Sequence, residues 1–538
     1  MRIVKASEIK EMDRLTINKI GIPGIVLMEN AARGASRIFL EHFNPARGSQ
    51  AVILCGKGNN GGDGFAMARH LAHSGLKIIV ICLARLSRIS GDALTNLEIL
   101  QRMGMGVIES PTSSELENCY GHIERCDYII DGIFGTGLGS DVEGIYRQAI
   151  QKINASGKQV MSIDIPSGLN SDTGQIMGAA VRADLTVTFG FPKLGQMLFP
   201  GADLVGRLTG VDIGIPDIVA DMVESRHFIT EPDDFNYLFQ EGKRDSYKGD
   251  RGHLLVLAGS TGKTGAAVMT ALGALRAGAG MVTVGIPASL NNILEVKLTE
   301  AMTVPLPETA DGTLSIKARD EIFRLAEGKS AIAVGPGLST NPETTSLVRE
   351  IITGCDLPMV IDADGLNALA EEPDILEKLD GEKILTPHPG EMGRLTGVKG
   401  HDIQLDRIGA ATRFTEKYRC CLALKGARTL ICAPGEKMYL NPTGNPALSS
   451  GGSGDVLTGI ISGLLTRGMP VIKAATAGVY LHGLAADLLS EEMGEAGVLA
   501  GDLLNVIPGL MESLRKGEWP LKKIHPFSDT SLSWKHDT

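Results

Sequence analysis

The residues with the clearest chemical potential lie between Asn441 and Gly459, in the sequence NPTGNPALSSGGSGDVLTG. Small residues run from Ser449 to Gly454, and Asp455 follows directly, ahead of apolar residues at helical spacing. Small residues let backbone approach a ligand closely, and the start of a helix offers N–H groups and a positive dipole end to phosphate. A carboxylate at that point can act as a base toward a hydroxyl. The motif predicts phosphoryl transfer, although by itself it would equally fit an ordinary helix start with a stabilising aspartate.

Four further loops of the C-terminal half follow apolar, strand-like runs and could approach the same ligand. They are GSTGKTGAA (259–267), GPGL (335–338), TPHPGE (386–391) and KGARTL (425–430). The first lacks the spacing of a Walker phosphate loop, so a glycine turn presenting backbone amides is the better interpretation. His388 lies between two prolines and could be structural or a ligand contact. Lys425 could bind phosphate or be an ordinary surface lysine.

The N-terminal half contains three loops of similar character. They are GKGNNGGDG (56–64), DGIFGTGLGSD (131–141) and DIPSGLN (164–170). Taken from Gly58, the run GNNGGDG does not match a dinucleotide-binding fingerprint, and a turn without a ligand would also explain it. Asn59 and Asn60 add carbonyl oxygens and tolerate unusual dihedral angles. Asp131 and Asp164 both end apolar runs, where a buried carboxylate needs a cation, a ligand or neighbouring amides.

Strand-like runs alternate with helical stretches in both halves, which predicts βα repeats around parallel sheets. The strand candidates are residues 51–56, 77–83, 127–135, 160–166 and 185–190, and then 253–260, 281–287, 331–337, 358–367, 382–391 and 421–432. Ligands of such sheets collect beyond the carboxyl ends of the strands, where these loops lie. The alternation loosens after Val211, so we expect a domain boundary between about Pro216 and Asp234.

The composition is that of a globular protein, with 43% hydrophobic and 21% charged residues and abundant glycine. A net charge of −11 argues against a nucleic-acid-binding surface. The eight cysteines form no C-x-x-C pair, and we interpret them as free thiols of a reducing compartment. No signal-peptide core opens the chain, and no run of about 20 apolar residues occurs. We therefore expect a cytoplasmic protein without a membrane span.

The motifs of the C-terminal half, taken together and in order, resemble those of the ribokinase-like superfamily. GSTGKTGAA, GPGL, DADGLNAL, TPHPGE, KGART and NPTGNP…GGSGDVLTG are most similar to the ADP/ATP-dependent NAD(P)H-hydrate dehydratase family, over roughly residues 230–515. The resemblance implies dehydration of the S epimer of a C6-hydrated NADH or NADPH at the expense of ADP or ATP, giving AMP or ADP and phosphate. It implies Mg²⁺ with the nucleotide.

The same resemblance assigns roles to individual residues. Asp455 would be the catalytic base. The nucleotide would contact Lys425, Gly426, Ala427, Arg428, Thr429 and Gly454. The hydrate would contact Ala266, Gly337, His388 and Asp455.

The N-terminal half is similar to the NAD(P)H-hydrate epimerase family over roughly residues 1–215, through GIPGIVLMENA, GNNGGDGF, DGIFGTGL, IDIPSGL and TFGFPK. The resemblance implies inversion at C6, with Asp164 as the catalytic proton-transfer group and Lys193 as a helper. It implies a potassium ion held by Asn60, Asp131 and Ser167. The hydrate would contact Asn59, Asn60, Gly61, Gly62, Asp63, Gly135, Thr136, Gly137, Leu138, Gly139, Ser140, Asp141 and Asp164.

The whole chain therefore resembles enzymes that fuse an epimerase to a dehydratase. We predict an α/β protein of two domains, a Rossmann-like three-layer sandwich (1–218) and a ribokinase-like α/β domain (228–516), followed by a polar tail (517–538). The resemblance also suggests a homo-oligomer, for which a tetramer is one option. Two alternatives stay open: a ribokinase-like kinase of a pyrimidine or thiazole alcohol, and an N-terminal domain that binds ligand without catalysis.

Overall fold

The structure, a computed structural model, describes residues 1–234, 247–379 and 382–518. Its internal contacts divide the chain into two units, which meet in sequence between His227 and Phe228. The predicted boundary, about 216–234, spans this point. Of the predicted polar tail, only Gly517 and Glu518 lie within the described residues.

The N-terminal unit is built around a parallel sheet. In chain order, the strands of this unit are β1 (Arg2–Ile3), β2 (Gln50–Cys55), β3 (Lys77–Cys82), β4 (Val107–Glu109), β5 (Tyr128–Gly132), β6 (Gln159–Ile163), β7 (Leu185–Phe189) and β8 (Arg207–Val211), of which β2 to β8 form this sheet. The helices are α1 (Ala6–Leu15), α2 (Gly24–Phe43), α3 (Asn59–His73), α4 (Gly91–Arg102), α5 (Ser113–Arg125), α6 (Gly144–Ala155), α7 (Leu194–Met197) and α8 (Asp217–Met222). Seven strands pair in the order β4-β3-β2-β5-β6-β7-β8, all parallel.

Successive residues of a strand point to opposite faces of the sheet. Because both faces of these strands are apolar, helices cover both. Ile53 and Cys55 of β2 belong to an apolar cluster that includes Phe39 of α2. Val52 of β2 belongs to a second cluster, with Leu116 of α5. The predicted three-layer α/β sandwich is confirmed.

The C-terminal unit is also an α/β structure around a mainly parallel sheet. Its strands are β9 (His227–Ile229), β10 (His253–Leu257), β11 (Met281–Pro287), β12 (Met302–Leu306), β13 (Ala331–Val334), β14 (Met359–Ile361), β15 (Lys383–Leu385), β16 (Cys421–Leu424), β17 (Leu430–Cys432) and β18 (Met438–Leu440). Its helices are α9 (Thr264–Arg276), α10 (Asn291–Lys297), α11 (Arg319–Ala326), α12 (Pro342–Gly354), α13 (Asp364–Glu371), α14 (Pro389–Thr396), α15 (Gly400–Leu405), α16 (Arg407–Lys417), α17 (Ser453–Thr466), α18 (Val471–Met493) and α19 (Ala500–Arg515).

The strand order β9-β18-β17-β16-β15-β14-β13-β10-β11-β12 places the motif-bearing strands side by side. Strands β10 to β16 pair in parallel, so the loops after β13, β14, β15 and β16 share one edge of the sheet. Strands β16, β17 and β18 pair antiparallel. Helices α9 and α17 pack closely on the sheet, where small residues let their backbones approach.

Two segments differ from the prediction. The run 421–432, predicted as one strand, is a hairpin of β16 and β17, and its centre KGART forms the turn. The run GNNGGDG, predicted as a turn, opens helix α3 at Asn59. There Gly61 is required by close packing, since a Cβ would lie 2.0 Å from the Gly56 carbonyl oxygen. Within the described residues, no helix has the length and apolar character needed to span a membrane.

Candidate active sites

The first candidate site forms around the start of helix α17. Gly452 caps this helix with φ of 92°, a conformation that suits glycine, and Ser453, Gly454 and Asp455 make the first turn. N–H groups of a first turn have no partner inside the helix and are therefore available to a phosphate. Burial raises the pKa of Asp455 to about 6, and the nearby Asp362 carboxylate adds to the rise. A carboxylate of this pKa suits a general base near neutral pH.

A buried ion-pair network lies beside this helix start. Lys425 follows β16, and its ammonium donates to Asp362 Oδ1 at 2.7 Å and lies 3.7 Å from Glu391 Oε2. Burial alone would lower the pKa of Lys425, but Asp362 and Glu391 outweigh it, so the pKa is raised. A Cβ added at Gly454 would lie 3.7 Å from both Lys425 Nζ and Asp362 Oδ2, so these groups adjoin the first turn of α17.

The predicted nucleotide residues 425–429 form the turn between β16 and β17, and Gly426 and Ala427 are exposed. The buried guanidinium of Arg407, in α16, fixes the backbone of this turn. It donates hydrogen bonds to the carbonyls of Leu424, Lys425 and Ala427.

The remaining polar side chains of the turn are tied to backbone. Arg428 adopts φ of 58° and donates to the Pro442 carbonyl. Thr429 donates to the Gly426 carbonyl at 3.0 Å. The turn is therefore fixed on its protein side and open on the other.

The predicted hydrate contacts of this half lie at the ends of neighbouring elements. Ala266 in α9 and Gly337 after β13 adjoin, since a Cβ at Gly337 would lie 3.0 Å from the Ala266 Cβ. His388 caps α14, because its Nδ1 accepts from the Gly390 and Glu391 N–H groups at 3.0 and 3.3 Å. Its side chain is 51% exposed. Its Nε2 lies 3.5 Å from Glu391 Oε1, so His388 has a structural role at the start of α14 and is still half exposed to a ligand.

Sequence analysis missed three polar groups of this site. Asp362 follows the apolar strand β14, the same signal that singled out Asp131 and Asp164, and could have been found that way. Glu391 was quoted only as part of TPHPGE. Arg407 lies in an amphipathic helix and carries no local signal of its role.

The second candidate site lies in the N-terminal unit, at the carboxyl ends of β2, β5 and β6. Asp131 at the end of β5 is fully buried, and burial raises its pKa while hydrogen bonds from Ser167 oppose the rise. Its carboxylate accepts from Ser162 Oγ, from the Ile133 N–H and from both the N–H and Oγ of Ser167. Hydrogen bonds from neighbouring amides and hydroxyls therefore compensate the burial of this carboxylate.

The predicted potassium ligands adjoin one another. Asn60 donates to the Phe134 carbonyl at 2.9 Å, and the Phe134 N–H donates to Ser167 Oγ at 2.8 Å. The side-chain oxygen of Asn60, Oδ1, is buried without a hydrogen-bond partner. An orphaned hard oxygen beside Asp131 and Ser167 fits an alkali cation.

Asp164 follows β6 and adopts φ of 62°, a strained conformation for an aspartate. It forms an ion pair with Lys193, whose side chain is 1% exposed. The Lys193 ammonium also donates to Thr188 Oγ1 and to the Phe189 carbonyl, both at 2.9 Å. The structure thus brings together the two residues predicted for proton transfer.

The predicted hydrate-binding residues of this unit fall into two groups. Residues 135–141 form a loop after β5 in which Gly137, Gly139, Ser140 and Asp141 are exposed, so it is open to a ligand. Asn60, Gly61, Gly62 and Asp63 are instead buried in the first turns of α3. Gly62 packs against Ala93, since a Cβ there would lie 2.8 Å from the Ala93 Cα.

Two further acidic side chains belong to this site: Asp13, which was not predicted, and Asp63, which was. Asp13 of α1 has a buried carboxylate oxygen without a hydrogen-bond partner, and burial raises its pKa to about 6. Burial also raises the pKa of Asp63, and Asp164 adds to the rise. Asp13 carried no signal, because it lies in a charged helix. Residues 56–61 do follow the spacing G-x-G-x-x-G of a dinucleotide-binding fingerprint. The prediction missed this signal because it counted the spacing from Gly58.

A groove of about 540 Å³ lies elsewhere in the N-terminal unit, between α2 and β8, and is lined by Asn30, Arg33, Arg37, Arg207 and Asp212 among others. It shares no residue with either candidate site. Within the described residues, no three His, Cys, Asp or Glu side chains are grouped to hold a metal ion.

Two family models match this chain. One, described as the YjeF-related protein N-terminus, matches residues 24–195, and the other, described as NAD(P)H-hydrate dehydratase, matches residues 254–509. Among solved structures, a Bacillus subtilis ADP/ATP-dependent NAD(P)H-hydrate dehydratase co-crystallized with ATP and Mg²⁺ is 33% identical. The match covers 53% of this chain and 98% of that chain, with a TM-score of 0.47.

Relatives of full length are named bifunctional NAD(P)H-hydrate repair enzymes. The one from Moorella thermoacetica is 43% identical over 96% of this chain and 98% of its own length. The one from Thermofilum pendens is 37% identical over 96% and 97%. The predicted fusion of an epimerase to a dehydratase is confirmed at the level of the family. Because more than a third of its residues match these relatives over nearly its whole length, the chain belongs to the family of bifunctional NAD(P)H-hydrate repair enzymes.

Proposed function

We propose that this chain repairs hydrated NADH and NADPH, with one reaction in each unit. The N-terminal unit interconverts the R and S epimers at C6, and the C-terminal unit dehydrates the S epimer at the expense of ADP or ATP. The observation that carries the proposal is Asp455, a carboxylate with a pKa of about 6 in the first turn of α17, beside the Lys425 ammonium.

Dehydration needs a better leaving group than hydroxide. Asp455 takes the proton of the C6 hydroxyl, and that oxygen attacks the terminal phosphorus of the nucleotide. A new oxygen–phosphorus bond forms as the bond to the bridging oxygen breaks, which releases AMP from ADP. The ring nitrogen electrons then expel phosphate from C6, and transfer of a C5 proton to the released phosphate restores the reduced nicotinamide.

The surrounding residues stabilise the phosphate charge that moves in this reaction. The amides of Gly454 and its neighbours cradle the transferred phosphoryl group at the positive end of α17. Lys425 supplies a positive charge beside that end, and the exposed turn of Gly426 and Ala427 holds the nucleotide. Mg²⁺ would accompany the nucleotide and neutralise part of its phosphate charge.

Epimerisation at C6 proceeds through loss and re-addition of water at an iminium-like carbon. Asp164 is the proton-transfer group, held in place by Lys193. Asn60, Asp131 and Ser167 would hold a potassium ion, which would supply a fixed positive charge to this site. The orphaned oxygen of Asn60 supports this assignment.

The test is the return of NADH absorbance from a mixed-epimer hydrate preparation supplied with Mg²⁺, K⁺ and either ADP or ATP. We expect recovery that depends on nucleotide and is lost in Asp455→Ala. We expect the wild-type chain to consume both epimers faster than they exchange spontaneously. In Asp164→Ala, consumption of the R epimer should be slower.

The same experiment addresses the alternatives. No recovery with either nucleotide would contradict the repair function, and a phosphorylated alcohol product would favour the kinase. Epimer exchange at the spontaneous rate would mean that the N-terminal unit only binds ligand. We also propose a homo-oligomer and a cytoplasmic location. The eight free cysteines support the location, because free thiols are typical of a reducing compartment.

A further inference from the structure

Asp362 lies at the centre of the dehydration site, and the proposed reaction gives it no role. It follows β14, and its carboxylate is buried at 2% exposure. One oxygen accepts from Lys425 Nζ at 2.7 Å, and the other accepts from Thr458 Oγ1 at 2.9 Å. Lys425 belongs to the nucleotide turn and Thr458 to the second turn of α17. A single carboxylate therefore joins the two elements that bracket the transferred phosphate.

We propose that Asp362 is a positioning residue of the dehydration site, which fixes the Lys425 ammonium against the start of α17 and places a negative charge beside the first turn of that helix. The inference rests on the proposed dehydration and deepens it. Asp362 acts through its neighbours and does not itself touch the reacting atoms.

The backbone around Asp362 supports a fixed position. Its carbonyl accepts from the Gly365 N–H at 2.9 Å, and a Cβ at Gly335 would lie 1.9 Å from that carbonyl oxygen. Ala363, the next residue, adopts φ of 49° and ψ of −115°, which is strained for alanine. Strain of this kind persists where the surroundings hold a functional arrangement.

A lysine without such a partner would be a poor phosphate ligand. Its four-carbon chain populates many rotamers, and ordering it on binding costs on the order of 1–2 kcal/mol. The ion pair with Asp362 orders Lys425 before the nucleotide arrives. Thr458 fixes the second carboxylate oxygen, so the pair is anchored to α17, the helix that carries Asp455.

Charged and titratable groups from every neighbouring element influence Asp455. They are Asp362 after β14, Asp364 of α13, Lys425 after β16, Glu391 of α14 through Lys425, Lys263 before α9 through Asp364, and His482 of α18, which contacts Ser453. His482 is neutral near pH 7, because burial lowers its pKa to about 4. Asp362 is the strongest charged influence, and Lys425 opposes it.

The test compares Asp362→Asn with the wild-type chain in nucleotide-dependent dehydration of the S epimer across pH. Removing the negative charge lowers the pKa of Asp455, so the acid limb of kcat/KM should move down by roughly one pH unit. The KM for ADP should rise about tenfold, because Lys425 loses its partner. A purely structural role would lower thermal stability and leave the acid limb in place.

Matched variants sharpen the comparison. Asp364→Asn removes the same charge two residues away, from a carboxylate that contacts Lys263 and the Ser339 N–H. It should move the acid limb less and leave the KM for ADP unchanged. In the double variant of Asp362→Asn with Lys425→Met, the KM should equal that of Lys425→Met alone, because Asp362 acts through Lys425.

The inference fails if Asp362→Asn keeps the wild-type acid limb and the wild-type KM, or if the two KM effects multiply in the double variant. If Asp362→Asn does not fold, Asp362→Glu keeps the charge and moves the carboxylate; it should retain the acid limb and raise the KM, and a wild-type KM would contradict the inference. Loss of dehydration by the wild-type chain would instead contradict the proposed function itself.

Discussion

Two aspartates show how position changes the chemistry of one side chain. Asp131 accepts four hydrogen bonds from hydroxyl and amide donors, which compensate its burial. Asp455 lies beside Asp362, whose negative charge adds to the effect of burial and raises its pKa to about 6. The first environment is that of a structural or cation-binding carboxylate, and the second is that of a base.

The raised pKa of Asp455 predicts opposite effects of one substitution on activity and stability. The folded state holds the proton of Asp455 up to about pH 6, whereas the unfolded chain releases it near the ordinary aspartate pKa of 3.8. Stability from this group is therefore present at low pH and is lost as pH rises through about 6. Asp455→Asn should match the wild type near pH 4 and exceed its free energy of unfolding by about 1–3 kcal/mol near pH 8.

Activity should behave in the reverse way. Asp455→Asn should lower kcat for dehydration by about 10²–10⁴-fold, since a base is lost. Wild-type activity should fall below about pH 6 as Asp455 is protonated. Denaturant titration at the two pH values, with initial rates on the same preparations, measures both. Equal stability of variant and wild type near pH 8 would contradict the assigned pKa.

Among elements, the turn between β16 and β17 depends on α16, the helix that precedes β16 in the chain. Arg407 donates to three carbonyls around this turn and is 7% exposed, and burial lowers its pKa to about 10. Its removal should loosen the nucleotide turn without touching Asp455. Arg407→Met should raise the KM for ADP about tenfold or more, because buried carbonyls lose their donor. Arg407→Lys, which keeps the charge but not the fork of donors, should recover only part of the loss.

The measurement is the KM for ADP in dehydration, with the epimerisation rate of the same protein as an internal control. Because the epimerisation residues lie in the other unit, that rate should stay at the wild-type value. A raised KM accompanied by slower epimerisation would point to general unfolding and not to the turn.

The contact between α9 and α17 predicts a second effect at this scale. A Cβ at Gly459 would lie 2.3 Å from the Thr270 carbonyl oxygen, so Gly459→Ala forces the two helices apart. It should cost roughly 1–3 kcal/mol or more of stability. Gly509 of α19 has nothing within 4 Å of such a Cβ, and Gly509→Ala should stabilise by about 0.5–1 kcal/mol. Thermal denaturation of both variants decides whether close packing or glycine content matters.

Much of this architecture followed from local pattern. The apolar runs at 51–56, 77–83 and 185–190 became β2, β3 and β7, because a run buried on both faces of a parallel sheet is a strong signal. Short strands such as β4 and β12 were missed, since their three and five residues are partly exposed and lack such a run. The hairpin of β16 and β17 was missed because its turn begins with a lysine that continues the strand register.

The sites were predictable where chemistry follows a strand end, and less so elsewhere. Asp131 and Asp164 lie at the ends of β5 and β6, as predicted. Asp13 comes from a helix distant in sequence, and Arg407 comes from the helix before β16; only tertiary packing brings either side chain to its site. Gly61 and Gly62 were predicted to meet the hydrate, yet their lack of a side chain is explained by packing of α3 on Gly56 and Ala93.

In the molecule as a whole, each unit holds a complete set of candidate groups. The epimerisation residues lie between α1 and α7, and the dehydration residues lie between α9 and α17. Each unit also has its own buried apolar clusters. The two proposed reactions are therefore chemically separable.

Separate sites predict reciprocal phenotypes in one assay. With a mixed-epimer hydrate, Asp164→Ala should restore NADH rapidly from the S epimer and then only at the spontaneous exchange rate. Asp455→Ala should restore none, yet should still equilibrate a purified R epimer with S, as chromatography of the two hydrates would reveal. Adding the two variants together should recover the wild-type progress curve, because the epimers diffuse between proteins. If the mixture stayed biphasic, the reactions would depend on sites within the same chain, and the separation argued here would be wrong.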